Sequence, residues 1–269
     1  MFLRKIAAFI KKDLLIQMSY RLNFILNRLR ILIQVGILYF IAKLFGKVTT
    51  PYLKEYGGEY FSFVLIGLAF SGYFMTALRS FSRGIREEQM TGTLEAILLT
   101  PTKISILIIC LTCWDFIFAS LNILVYLLLG ICFLGVRLSN VDIFTVFIIL
   151  LLTIVSFSSI GMLSAAFTTV LKKGDPISWV IGMFSTFFGG VYFPVAILPR
   201  GLQRISFFLP ITYSLKSLRY ALLQGYSFHM LLPDIISLLA FSVVLLPLGI
   251  FSFRYAIKRA KRDGSLVHY

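Results

Sequence analysis

Residues 104–135, ISILIICLTCWDFIFASLNILVYLLLGICFLG, carry a single charged side chain, Asp115, in a run longer than the roughly 20 apolar residues a helix needs to cross a bilayer. No proline interrupts the run, so it reads as a membrane-spanning helix with length to spare for tilt or protrusion. Its surroundings are similar. Of 269 residues, 59% are hydrophobic, 14% are charged and 27 are Phe, against roughly 45–50% apolar residues in soluble domains. A core of ordinary size cannot hide that much apolar surface from water, which argues against a soluble enzyme and for an all-α polytopic membrane protein.

Working outward, five more spans are expected at about 24–45, 60–81, 141–171, 177–195 and 231–253, making six in one transmembrane domain over 1–269. Arg28, Arg30 and Gln34 weaken the first, although long basic side chains near its start can snorkel to the surface. In residues 1–22, Phe2, Leu3, Ile6, Ala7, Phe9, Ile10 and Leu14 share one helical arc, and Arg4, Lys5, Lys11 and Lys12 share the other. That pattern predicts an amphipathic interfacial helix on anionic lipid, with an amphipathic helix docked on protein as the alternative. Lys11 and Lys12 would split the apolar region of any signal peptide. Residues 196–230 mix short apolar runs with Pro199, Pro210, Arg200, Arg204, Lys216 and Arg219. Two short re-entrant helices suit this stretch, and an outer loop with two surface helices is the other reading. Small residues spaced i, i+4 (Gly161 and Ala165, Ser185 and Gly189, Thr186 and Gly190) predict close helix contacts for the fourth and fifth spans, the fifth within this chain or in a second copy.

Lys and Arg number 26 against 11 Asp and Glu, a formal charge of +15. With six spans, most of the basic residues fall before the first span, in 82–103, just after 171 and at the C-terminus. The positive-inside rule then puts both termini in the cytoplasm, and the charge records topology and lipid contact rather than nucleic-acid binding. Arg200, Arg204, Lys216 and Arg219 depart from this bias together.

Catalytic patterns are absent from the sequence: GxxxxGK[ST], HExxH and GxSxG do not occur, and His229 and His268 stand alone. Cys110 and Cys113 read as thiols packing on one helix face. No catalytic, cofactor or metal residue is expected in this chain. Asp115 lies about eleven residues into its span, roughly 16 Å deep and near the midplane. It either serves a polar route or a cationic substrate, or is a structural partner for Arg79 or a neighbouring Ser or Thr, the favoured reading. Trp114 and Trp179 read as packing or interface anchors.

The longest interior polar stretch includes GIREEQMTGTLEAILLTPT, residues 84–102, and reads as a short charged helix on the cytoplasmic face within a region 82–103. It resembles the cytoplasmic signature of the type-2 ATP-binding-cassette (ABC) permeases, an acidic pair followed by GTLE and TP. A second match to that family is GGVYFPVAILPRGLQRISFFLPITYSLKSLRYALLQG, residues 189–225. The two occur in the family's order, and the resemblance covers essentially the whole chain. It implies that Glu87, Glu88, Gly92, Thr93, Leu94, Glu95 and Pro101 lie in or beside a coupling helix that docks on a separate ATPase subunit, which holds ATP and Mg. It also implies that Pro194, Pro199, Pro210, Tyr213 and Arg219 belong to an outer gate, which the Phe-rich run Phe187, Phe188, Phe193, Phe207 and Phe208 suits. Two permease copies in the cell membrane, exporting an amphipathic drug, lipid or lipid-linked glycan, complete that expectation. A gradient-driven transporter would call for inverted repeats and several midplane ionisable groups. A membrane-embedded transferase would need paired acids, and the adjacent Glu87 and Glu88 point apart on a helix.

Overall fold

The computed structural model describes residues 2–92, 104–171 and 175–262. Every regular element among them is helical: α1 (Phe2–Ser19), α2 (Arg21–Leu53), α3 (Tyr60–Met90), α4 (Ile104–Leu134), α5 (Ile143–Leu171), α6 (Pro176–Phe188), α7 (Arg200–Phe207), α8 (Pro210–Arg219) and α9 (Leu232–Arg262). A π-helical turn, Tyr220–Gln224, prolongs α8 and ends at Gly225 in the left-handed region. The chain is an all-helical polytopic protein. Among the described residues, five helices contain segments long and apolar enough to cross a membrane: Phe24–Leu44, Tyr60–Glu88, Thr112–Leu134, Ile143–Thr169 and Leu232–Arg259.

The expected span at 177–195 is shortened. Helix α6 has 13 residues, about 20 Å, which falls short of the ~30 Å of hydrocarbon. It stops because Gly189 closes the last turn and Gly190 takes φ +78°, a conformation that turns the chain away from a helix. The span expected at 60–81 instead continues to Met90. Residues 82–90 are therefore the end of a long span helix rather than a separate short one, because nothing between Phe81 and Met90 breaks the backbone. Residues 93–103, with Thr93, Leu94, Glu95 and Pro101, lie outside the described residues.

Helix α3 is the hub. Of its apolar window 72% is buried, against 17% for α2 and 22% for α4 and α9. Phe63, Phe70, Phe74 and Leu78 form the centre of the core, with the Phe74 ring stacked on Phe157 of α5 at 5.5 Å. The α5 crossings depend on missing side chains: a Cβ on Gly161 would stand 2.6 Å from the Leu78 carbonyl of α3, and one on Gly249 2.6 Å from the Ser159 carbonyl across the α5–α9 contact. Hydroxyls join α5 to α8 and to α9, Thr153 donating to Ser214 at 2.7 Å and Ser156 lying 3.0 Å from Ser242. Apolar side chains of α2, α4, α6 and α9 remain outward, among them Ile33, Phe40, Leu124, Trp179, Phe184, Val243 and Phe251. On a span helix such a surface is matched by lipid.

Candidate functional site

Charges gather where α3 ends. Lys12 of α1 reaches Glu88 at 2.5 Å, and Arg83 reaches Asp115 of α4 at 2.5 Å, so the last turns of α3 are tied to two other helices. The partner of Asp115 is thus Arg83, one turn beyond Arg79. Asp13 stands beside the same group. Burial pushes its carboxyl above the usual range, Lys12 opposes the rise, and the carboxylates of Asp115, Glu87 and Glu88 add to it. Glu88 is buried while Glu87 is exposed. Gly92, with φ +69°, makes the turn that leaves the helix.

The second sequence match folds at the opposite end as one packed unit. Pro194 is buried before a single 3₁₀ turn, Pro199 precedes α7, and Pro210 occupies the first turn of α8, where its missing N–H is harmless. The elbow between α7 and α8 is held by hydroxyls, Thr212 donating to the Ser206 carbonyl at 2.7 Å and Tyr213 to the Phe207 carbonyl at 3.1 Å. Arg219 is the pin of this unit. Only 3% exposed, it donates from Nε to the Phe63 carbonyl at 3.1 Å and from Nη2 to the Val191 carbonyl at 3.0 Å, and its guanidinium lies 3.4 Å from the Phe63 ring centroid. No carboxylate among the described residues forms an ion pair with it. The approach requires Gly67, whose Cβ would stand 2.3 Å from the Val191 carbonyl. Lys216, by contrast, pairs with Asp234 of α9 at 3.1 Å. Of the aromatic run, Phe187 meets Phe188 and Phe193 at 5.0 and 5.8 Å, whereas Phe207 and Phe208 are exposed.

Between these ends α2, α3 and α4 enclose polar space that the sequence reading missed. A cavity of about 570 Å³ opens beside the charged cluster, and a second of about 390 Å³ continues toward Tyr192. Asn27, Arg30, Ala119 and Asn122 line both, so the two form one cleft. Its walls are helical stripes: Asn27, Arg30 and Gln34 on α2; Gly72, Thr76, Arg79 and Arg83 on α3; and Asp115, Ala119, Asn122 and Tyr126 on α4. Each set follows the three- or four-residue spacing of a single face. That periodicity was the available signal, buried among apolar neighbours. Tyr126 donates to Gln34 across the cleft at 2.8 Å, while Asn122 Oδ1 is buried without a partner. Arg28 faces another way, its guanidinium 4.8 Å from the Phe24 ring centroid and 5.3 Å from that of Phe118.

Asp175 was also missed. It caps α6, accepting from the Ser178 amide at 3.0 Å and from the hydroxyls of Ser82 on α3 and Ser164 on α5. Burial alone would raise its carboxyl, but those hydrogen bonds outweigh it and hold it below the usual carboxylate range. Asp-Pro before an apolar run is a helix-start signal; that two other helices would meet it there is not written in the local sequence. No cluster of His, Cys, Asp and Glu suited to a metal occurs among the described residues.

A family model described as ABC-2 type transporter matches residues 6–223 of this chain. That range takes in the charged cluster, the cleft and nearly all of the pinned segment. No curated protein matches the chain.

Proposed function

The chain belongs to the ABC-2 type transporter family and is a multi-pass membrane permease of the ABC class. From that premise we propose that it is the transmembrane subunit of an ATP-driven exporter, coupled to a separate ATPase subunit and working beside a second permease copy in the cell membrane. Both termini and the Met90 end of α3 face the cytoplasm, in keeping with the bias of the basic residues, with α6 and the residues that follow it making the sixth crossing alongside α3 from Ser82 to Gly67. Segment 189–225 forms the outer gate, with its short helices entering the membrane from outside.

The observation that carries the coupling is the joining of α1, α3 and α4 by Lys12–Glu88 and Arg83–Asp115 immediately before residues 93–103. A partner docking on that segment grips an element tied to two other helices. Closure of ATPase subunits can then tilt the hub helix as a body, which needs no nucleotide site in this chain. The cleft between α2, α3 and α4 offers a polar route beside the moving helix. ATP and Mg belong to the partner, and the cargo is amphipathic: drug, lipid or lipid-linked glycan.

The test is co-purification of the full chain with a candidate ATPase subunit and measurement of ATP turnover with and without Leu94→Arg. The expected outcome is a stable complex whose turnover is uncoupled by the substitution. Lack of any associating ATPase, or unchanged turnover, defeats the reading.

A further inference from the structure

The two chambers of the cleft differ in charge. The one beside the Met90 end has Lys12, Arg30 and Arg83 facing Asp13, Glu87, Glu88 and Asp115, so its charges roughly balance. The inner chamber is lined by Arg79 and by Arg30, which it shares with the outer one, and has no carboxylate of its own; neither arginine forms an ion pair with a described acid. A cavity-lining guanidinium without an ion-pair partner is costly and marks a site for a counter-charge. The rest of the chamber is graded: Asn27 and Asn122 stand near the arginines, and the cavity then runs past Leu68, Tyr73 and Tyr126 toward Tyr192. From Arg79 back to Leu68 is eleven residues of α3, about 16 Å, which accommodates a headgroup and the first part of a chain.

We propose that this inner chamber binds an amphipathic anion, its phosphate or carboxylate head held between Arg30 and Arg79 and its apolar part laid along the aromatic wall. A guanidinium pair on two different helices presents planar donor forks to one oxyanion from both sides, which a single lysine would not do. The buried Asn122 Oδ1 without a partner provides an acceptor for a hydroxyl next to the head. A cationic amphiphile is repelled by the same pair. The inference names the cargo class for the permease reading and rests on it only for the word cargo. The binding site stands on the cavity itself.

The full chain in neutral-detergent micelles is titrated with dodecyl phosphate, dodecyltrimethylammonium and inorganic phosphate, with binding read by tryptophan fluorescence in a Trp179→Phe background, since Trp114 lines the adjoining chamber. Dodecyl phosphate should bind at least about tenfold more tightly than either of the others, and Arg30→Gln with Arg79→Gln should weaken it about tenfold or more. The Arg30→Lys, Arg79→Lys variant keeps the charge and should retain the preference for the anion over the cation. It also controls for folding. Equal binding of anion and cation by the unsubstituted chain overturns the proposal, as does equal binding of inorganic phosphate, which would make the site one for free anions. An ATPase subunit that associates while the glutamine variant binds normally also overturns it and leaves the permease reading intact. Arginine-dependent binding with no ATPase partner supports the anion site and defeats the permease reading alone.

Discussion

The two ends of the molecule use arginine and lysine in opposite ways. At the Met90 end, Lys12 and Arg83 are about half exposed, with side-chain exposures of 46% and 55%, and each meets a carboxylate. At the other end Arg219 is buried and is neutralised by carbonyls and a ring, with no acid involved. The acids at the Met90 end are more enclosed, Glu88 at 8% and Asp115 at 22%, but an ion pair whose cation is half in water is screened on that side and can be remade as a partner docks. A buried cation tied to two carbonyls is directional and hard to replace, so it fixes one arrangement. The chain thus keeps its adjustable contacts at the end expected to receive work and its rigid contact in the segment proposed as the outer gate.

The strongest way to break this contrast is at Arg219. Arg219→Met leaves the Val191 carbonyl buried without a donor, strips the Phe63 carbonyl of its second one beyond the helix bond, and is expected to lower stability by about 2–4 kcal/mol, read as the midpoint of heat-induced loss of monodisperse protein. Arg219→Lys should recover little of it, because an ammonium cannot copy the fork and the ring contact. If both variants melt like the parent, the pin has no structural weight. Gly67→Val tests the same contact from the other side: a Cβ at 2.3 Å from the Val191 carbonyl must displace the segment, with an expected loss of about 1–3 kcal/mol.

A smaller effect is expected midway. Asp175→Ala removes the cap and the acceptor shared by α3 and α5, at about 1–2 kcal/mol. Because the carboxyl is held below its ordinary value of 3.8, its stabilisation is fully present above that pH and disappears as pH falls through the lower folded value. Parent and variant should therefore differ by a constant amount from neutral pH down to about pH 4 and converge below it; a gap that persists in strong acid contradicts the assignment. Least destabilising is Lys12→Ala, expected at about 1 kcal/mol, because the lysine is half exposed although the Glu88 carboxylate it meets is buried. Coupling is where that variant should show: partner ATPase turnover is expected to fall, and the exchange Lys12→Glu with Glu88→Lys to restore part of it. A large loss of thermal stability in Lys12→Ala would erase the difference between the two ends.

Much of the frame can be read along the chain, because each span is a local property of its own residues. The five long helices, the two short ones at Arg200–Phe207 and Pro210–Arg219 and the paired prolines before them follow from apolar length and proline placement. Where local reading misplaced an element, a neighbour or a single backbone angle decided it. Gly190 shortened α6, uninterrupted helix carried α3 to Met90, and Arg83 took Asp115 although Arg79 also lay on that face. The i, i+4 small residues did mark close contacts: Gly161 meets α3, and Gly189 lies against Ile211 of α8 in the same chain.

Sequence by itself determined that this is a helical membrane protein of the ABC-2 type, since hydropathy, proline spacing and the two signature stretches are carried by consecutive residues. Tertiary structure alone decided what the basic residues do. Arg30, Arg79, Arg83 and Arg219 look alike in a string of apolar letters. Only packing makes Arg79 line a chamber without acids, Arg30 join it to a charged one, Arg83 form an ion pair and Arg219 serve as a buried pin. The physical reason is that a charge in a low-dielectric interior takes its role from whichever dipole or counter-charge lies within a few ångströms. In this chain those partners come from helices far apart in sequence.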